Sequence, residues 1–297
     1  MPIWMAFLTL TFIWGSTPLA IQWSQAGMSY SFAVMARIGI GVVLFLLLIP
    51  WLKRHPAPSL GQLLVVSLIA GLNLFGSMLC VYWGARYIPS GWISVLFGLG
   101  PILTGWMAAA WLKEPFSRQK WIGSLMGLFG LVVIFAHSGI AGENTPIGIA
   151  AVILSVVIYA AGNVGIKQWN RDIAPMWVAA GSLWVAFPLF LIVFLLSGEP
   201  WPTEALYTRS GLAIVYLGLV GNGLGFVCFY YLLSRVSAAN ASLVTLSSPA
   251  VALWLGVAFN REQIHGGLLL GTILILAGLA LFQWGLPGKR LQNAESL

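Results

Sequence analysis

Charge is what this chain has least of. Asp, Glu, Lys and Arg make up 7% of its 297 residues, against about 25% in a soluble domain. So few charges cannot cover a water-facing surface, which excludes an ordinary soluble enzyme or binding module and places the chain in lipid. Acid is scarcer than base, with 7 Asp and Glu against 14 Lys and Arg. Every acidic residue falls in a loop, at a segment end or in the tail. No carboxylate is therefore available at mid-membrane to exchange a proton for a cation, the usual device of a proton-coupled cation exporter. Histidine is nearly absent too: His55 lies in a loop, and His137 and His265 lie at segment ends. That leaves no intramembrane dyad for catalysis and no ligand cluster, so neither an intramembrane enzyme nor a metal or other cofactor is expected. The two cysteines, Cys80 and Cys228, sit within apolar segments and read as small buried hydrophobes. Segments of alternating hydrophobicity, the mark of a membrane barrel, are missing. The basic residues are scattered rather than interleaved with aromatics, so nucleic acid is not a partner. No Lys or Arg precedes the first apolar run, which reads as a retained span rather than a cleaved leader.

What is present is apolar sequence in span-sized pieces. The chain is 60% hydrophobic, with a mean hydropathy of +0.94. About 20 apolar residues cross a hydrocarbon core. Ten stretches qualify, at roughly 4–24, 32–52, 60–85, 90–112, 119–137, 147–166, 176–197, 210–234, 239–259 and 265–285. With the N-terminus inside, ten Lys and Arg fall in inner loops and only Arg86, Arg209 and Arg261 in outer ones. That bias predicts both termini on the cytoplasmic side.

The chain also repeats itself. Eleven residues between Cys80 and Leu131 recur unchanged 148 positions later. Among them are Cys80 and Cys228, Tyr82 and Tyr230, Ser94 and Ser242, Pro101 and Pro249, Trp106 and Trp254, Glu114 and Glu262, Gly123 and Gly271, and Gly130 and Gly278. A duplication of five spans must enter the membrane upside down the second time, because five is odd. The expectation is an all-α membrane protein of ten helices in two inverted five-helix repeats, 1–142 and 143–297, integrated into one transmembrane domain. Such folds hold a substrate near the midplane and expose it to either side by rocking one half against the other.

Several motifs resemble a known family. Trp14-Gly15, Arg37, Pro101, the run Trp111-Leu112-Lys113-Glu114-Pro115, and Gly123 and Gly130 are similar to the pattern of the EamA branch of the drug/metabolite transporter superfamily. Pro249, Glu262, Gly271 and Gly278 repeat it in the second half. The resemblance covers the whole chain and implies ten helices and transport of small metabolites, often amino-acid export. The halves differ at two places: Gln263 stands where Pro115 would recur, and span 7 has no counterpart of Arg37.

Each candidate residue has a structural and a functional reading. Pro101 and Pro249, placed near mid-span, free the carbonyls of Phe97 and Thr245 and are either static kinks, or hinges or broken helices bordering the site. Glu114 and Glu262 follow span ends. Each would accept from free N–H groups of the next helix or pair with Lys113, Arg118 or Arg261, or else act in a gate. Arg37 lies about 9 Å below the outer surface, at 1.5 Å per residue. It either snorkels or pairs with carbonyls, or anchors a substrate carboxylate. Asn73, Asn163 and Asn222 are mid-span amides that bond between helices or line a polar cavity. Trp14, Ser16, Thr17, Tyr82, Trp83, Tyr159, Tyr230 and Tyr231 would complete an amphipathic lining. Gly123-x-x-x-Gly127 and Gly267-x-x-x-Gly271 read as close-packing motifs within the chain.

The leading expectation is a transporter, an exporter of small polar metabolites and foremost amino acids, in a bacterial inner membrane. A carrier of anionic metabolites anchored on Arg37 is the alternative. The partners are a small-molecule substrate and the bilayer, and one chain of ten spans can close a path alone.

Overall fold

The protein is described from a computed structural model, which covers residues 1–52, 58–88, 93, 96–135, 145–170, 173–202, 207–260 and 266–284. Among these residues ten helices of 13 residues or more follow one another: α1 Ile3–Gln25, α2 Tyr30–Leu47, α3 Leu60–Gly84, α4 Gly100–Leu112, α5 Arg118–Phe135, α6 Thr145–Trp169, α7 Pro175–Ser197, α8 Arg209–Arg235, α9 Ala238–Asn260 and α10 Gly266–Trp284. Six of them, α1, α2, α3, α6, α7 and α8, are long and apolar enough by themselves to cross a membrane. The outer surface is apolar along the spans, as the exposure of Phe12, Leu72, Phe129, Leu154 and Ile192 shows. Only hydrocarbon accepts such a surface, and only helices satisfy their own backbone there.

Local chemistry sets the helix ends. Ser29 Oγ accepts from the Phe32 amide at the start of α2, at 3.3 Å. Thr208 Oγ1 caps α8 through the Ser210 amide, also at 3.3 Å. Pro175 opens α7, where its missing N–H has no helical partner to lose. Gly198, at φ 66°, ends α7 in the left-handed conformation that costs glycine nothing. At the end of α4 that conformation falls on Lys113, with φ 54°, and the Glu114 amide returns to the Ala108 carbonyl.

The packing carries the two-fold relation that the repeat predicts. α5 lies against α10, α2 against α7 and α4 against α9. The pair α3/α6 is matched by α8/α1, α3/α7 by α8/α2, and α1/α9 by α6/α4. Exchanging helices 1–5 with 6–10 therefore returns the same contacts. Directions agree as well. α2 runs parallel to α8, since Ile40 meets Gly218 and Leu44 meets Gly223. α3 runs parallel to α7, with Ser67 at Gly181 and Val185 at Gly71. The repeated glycines meet across the axis on antiparallel helices. A Cβ at Gly123 would lie 2.6 Å from the Gly278 oxygen, and one at Gly130 would lie 2.7 Å from the Gly271 oxygen. Side chains are impossible at such backbone contacts, which is why glycine stands at both places.

Two expectations change. The repeats are not two bodies side by side, because nearly all the main packing crosses between them. The contacts instead define two interlocked triads, α1/α8/α9 and α6/α3/α4. Helices 1–5 and 6–10 are therefore interleaved rather than separate. Secondly, of the two readings of Pro101, the static kink in a continuous helix gives way to the break. A turn at Gly98 and Leu99 precedes it, and Pro101 is the second residue of α4. Pro249 lies within α9.

A candidate functional site between the triads

A cavity of about 120 Å³ lies between the two triads. α1 contributes Trp14, Thr17, Pro18 and Ile21, α8 contributes Phe226, Phe229 and Tyr230, and α9 contributes Thr245 and Ser248. The opposite wall holds Asn73, Leu74, Ser77, Met78 and Val81 of α3, Tyr159 and Asn163 of α6, and Ile93 and Phe97 just before α4. Arg37 of α2 closes the ring. Rings from both triads meet across the space: Tyr159 lies 6.1 Å from Trp14 and 5.9 Å from Phe229. Thr245 and Ser248 reach the wall where α9 approaches Pro249.

The polar part of the wall is unsatisfied. Arg37 Nε and Asn73 Oδ1 are buried without a hydrogen-bond partner, and the Tyr159 hydroxyl and the Asn163 amide have no partner beyond each other. Asn163 is only 1% exposed. An orphaned buried polar atom costs about 1–3 kcal/mol, so this concentration of them around one cavity is a cost that a polar occupant would remove.

Arg37 is held by neutral groups. It is 2% exposed and does not snorkel. Nη2 donates to Asn222 Oδ1 at 2.7 Å, and Asn222 Nδ2 donates back to the Arg37 carbonyl at 2.8 Å. Nη1 donates to the Tyr82 hydroxyl at 3.4 Å, and the guanidinium lies 5.9 Å from the centre of the Tyr82 ring. Asn222 belongs to a π-helical stretch, Leu217–Gly225, inside α8. Such stretches widen a helix locally and turn side chains out of the regular α register. Gly218 and Gly221 of this stretch let α2 approach, since a Cβ at either would lie 3.0 and 3.3 Å from Arg37 atoms.

The structure thus brings Trp14, Thr17, Asn73, Tyr159, Asn163, Tyr230 and Arg37 to one cavity. Five other expected lining residues are elsewhere. Ser16 bonds the Tyr216 hydroxyl at 2.6 Å on the α1/α8 contact. Tyr82 and Asn222 stand behind the wall, on Arg37. Trp83 packs its ring on Tyr87 at 5.0 Å, near the end of α3. Tyr231 donates to the Met1 carbonyl, also away from the cavity. Sequence reading missed Met78, Val81, Phe97, Phe226, Phe229 and Thr245. The signal was the repeat register itself, because Met78/Phe226, Val81/Phe229 and Phe97/Thr245 are each 148 residues apart.

Glu114 corrects another expectation. Its carboxylate accepts not from α5, the next helix, but from the Ala238 amide at the start of α9, at 3.2 Å. Lys167 of α6 donates to the carbonyls of Leu233 and Val236 at the end of α8, the first at 2.9 Å. Both bonds join one triad to the other at the same end of the bundle. The left-handed turn at Lys113 is what redirects the chain so that Glu114 leaves its own helix hairpin. Glu262 lies outside the described residues.

Inverted helices interlocked in two triads around a central, partly polar cavity are the architecture of a membrane transporter. The chain belongs to the EamA-like transporter family, whose model matches it twice, at residues 1–136 and 146–284. It is 26% identical over 295 residues to the uncharacterized inner membrane transporter YedA of Escherichia coli K12, covering 95% of this chain and 93% of that protein. It is 25% identical over 296 residues to a protein of Streptantibioticus cattleyicolor named a probable terminal-alkyne amino-acid exporter, covering 97% and 95%. A solved crystal structure shares the fold with a TM-score of 0.72 at 22% identity, over 94% of this chain and 96% of that one.

Proposed function

We propose that this transporter exports small zwitterionic metabolites, foremost amino acids, by alternating access through the cavity between the triads. The observation that carries the reading is the cavity wall. It combines one cation, several polar atoms without partners and an aromatic lining in a space of about 120 Å³. That is near the ~150 Å³ that holds one benzene molecule, so the occupant is a small metabolite. The similarity to an amino-acid exporter points the same way.

The moving units are the triads α1/α8/α9 and α3/α4/α6, which meet where α4 packs on α9 and face each other across the cavity. Glu114 and Lys167 fasten them at one end. Opening that end requires both bonds to break, and the turn before Pro101 is where α4 can bend. The charge bias of the loops makes this the cytoplasmic end, with both termini on that side of a bacterial inner membrane. One chain supplies the whole wall, so a monomer suffices.

The test is efflux from proteoliposomes preloaded with each of a panel of labelled amino acids, with and without a pH gradient. Efflux above empty vesicles for some members supports the reading, and flux without a gradient identifies facilitation. Silence across the whole panel sinks the amino-acid assignment.

A further inference from the structure

We infer that the substrate itself supplies the counter-charge of Arg37, so that the cavity selects molecules bearing a free carboxylate, and that Asn222 is the positioning residue that keeps this vacancy open. The inference deepens the proposed function and rests on it.

A guanidinium stays charged at any physiological pH. Buried charges ordinarily have a charged partner, because an isolated ion in an apolar medium is unfavourable. Among the described residues, that partner is missing around Arg37. Its three contacts are the Asn222 amide, the Tyr82 hydroxyl and the Tyr82 ring, all neutral. Of the two described carboxylates, Glu114 is engaged at the start of α9, and Glu199 is exposed beyond the end of α7. One edge of the guanidinium, Nε–H, has no partner at all, although the residue lines the cavity. A carboxylate that reached this edge from the cavity would give Nε–H its missing acceptor and the guanidinium its counter-charge.

The choice of amide at 222 is what leaves the charge unpaired. An aspartate would offer Nη2 the same oxygen and cancel the charge. It would also have nothing to donate to the Arg37 carbonyl, a bond that Asn222 Nδ2 makes at 2.8 Å. The reciprocal pair therefore fixes the side chain without neutralising it. The rest of the polar wall is neutral. Asn73 and Asn163 present carbonyl oxygens that can receive an ammonium group, and the aromatic rings accept its charge on their faces. No other described group on the wall can balance Arg37. A primary amine without a carboxylate would add like charge to an uncompensated cation.

The experiment uses the purified full-length chain and three amino acids, valine, leucine and phenylalanine. Each is offered as the free acid, the carboxamide and the decarboxylated amine. Binding is read by ligand-induced thermal shift, and flux in proteoliposomes. The wild type should prefer the acids over amides and amines by roughly tenfold or more, the scale of an unpaired buried charge. Asn222→Asp should reverse the order, losing affinity for the acids while gaining the amines, with the gain proving that the variant is folded. Arg37→Gln should bind acids and amides alike. Should Asn222→Asp fail to fold, the wild-type ratio and Arg37→Gln decide the matter. Equal binding of acids and amides by the wild type, or no binding of any acid, overturns the inference. Acid-selective binding without flux keeps the inference and removes the transport reading instead.

Discussion

Gly162→Ala should damage both stability and transport, through one identifiable contact. Gly162 lies on α6, beside Asn163, with Asn73 of α3 packed on it. A Cβ at 162 would lie 2.0 Å from Asn73 Cγ, 2.3 Å from its Oδ1 and 2.4 Å from its Cβ. Rotating the Asn73 side chain clears the first two but not the third. Ordinary contact begins at 3.4 Å, so 3.4 minus 2.4 leaves a shortfall of 1.0 Å that the helices must supply by moving apart. Forced overpacking of this kind costs about 1–3 kcal/mol. The better helix propensity of alanine returns at most about 1 kcal/mol. The expected net loss is about 1–2 kcal/mol, and at about 2–4 °C per kcal/mol the melting temperature falls by about 2–8 °C. Displacing Asn73 also disturbs the cavity wall, so efflux should fall while some folded protein remains. The assay pairs thermal unfolding, followed by the 15 tryptophans, with proteoliposome efflux. A double-mutant cycle isolates the cause. Asn73→Gly removes all three crowding atoms, so Gly162→Ala should be nearly harmless in that background. The two changes should couple by more than about 0.5 kcal/mol, the limit for independent sites. If Gly162→Ala leaves melting and flux unchanged, or hurts equally in both backgrounds, the contact between α3 and α6 is not as described.

Two further outcomes follow from the packing. Gly123→Ala and Gly278→Ala each set a methyl 2.5–2.6 Å from a backbone oxygen of the facing helix. Neither helix can relieve this with a side chain, so each should cost about 1–3 kcal/mol in thermal unfolding. Gly61→Ala, with nothing within 4 Å, should be neutral or slightly stabilising. Glu114→Ala and Lys167→Met should each lower the melting temperature, by the loss of about 0.5–2 kcal/mol for a helix cap and about 1.5–3 for hydrogen bonds from a charged group. Both should also raise thiol labelling of a cysteine placed at Thr245, since they release the same end of the cavity. Labelling unchanged in both variants would show that these bonds do not fasten the triads.

Much of the scaffold was legible because its rules are compositional. Span-length apolar runs, five per repeat, were enough to predict inverted copies, and the repeated glycines duly meet across the axis. Where the reading failed, the cause was tertiary. The register pairs Met78/Phe226 and Val81/Phe229 looked like ordinary span residues, and only the packing of the two triads turns them to one cavity. Tyr82 and Asn222 looked like lining because they are polar and deep. They are instead the residues that hold Arg37, and a run of helical periodicity cannot show a π-helical stretch that turns Asn222 sideways. Glu114 was placed on the next helix because capping is local by default. The left-handed residue Lys113 redirected it, and nothing in the sequence marks a lysine as left-handed.

The site departs from the symmetry of the frame that builds it, and the departure falls on the cation. Exchanging the repeats carries α2/α8, where Arg37 meets Asn222, onto α7/α3. There the residue 148 positions after Arg37 is Val185, packed so closely on Gly71 that a Cβ at Gly71 would lie 2.4 Å from it. The same interhelical seam thus carries a charge on one side of the axis and a valine on the other. A symmetric frame gives two states of similar energy, open to either face, because exchanging the repeats converts one into the other. An unsymmetric charge breaks that equality: the two states differ in how far Arg37 is shielded from water when the triads tilt. A carboxylate bound to Arg37 as inferred above would interact differently with the two states, and only such a difference lets a ligand shift their balance. Placing a second arginine at Val185 would test this, since restoring symmetry of charge should reduce the influence of the substrate on which face is open.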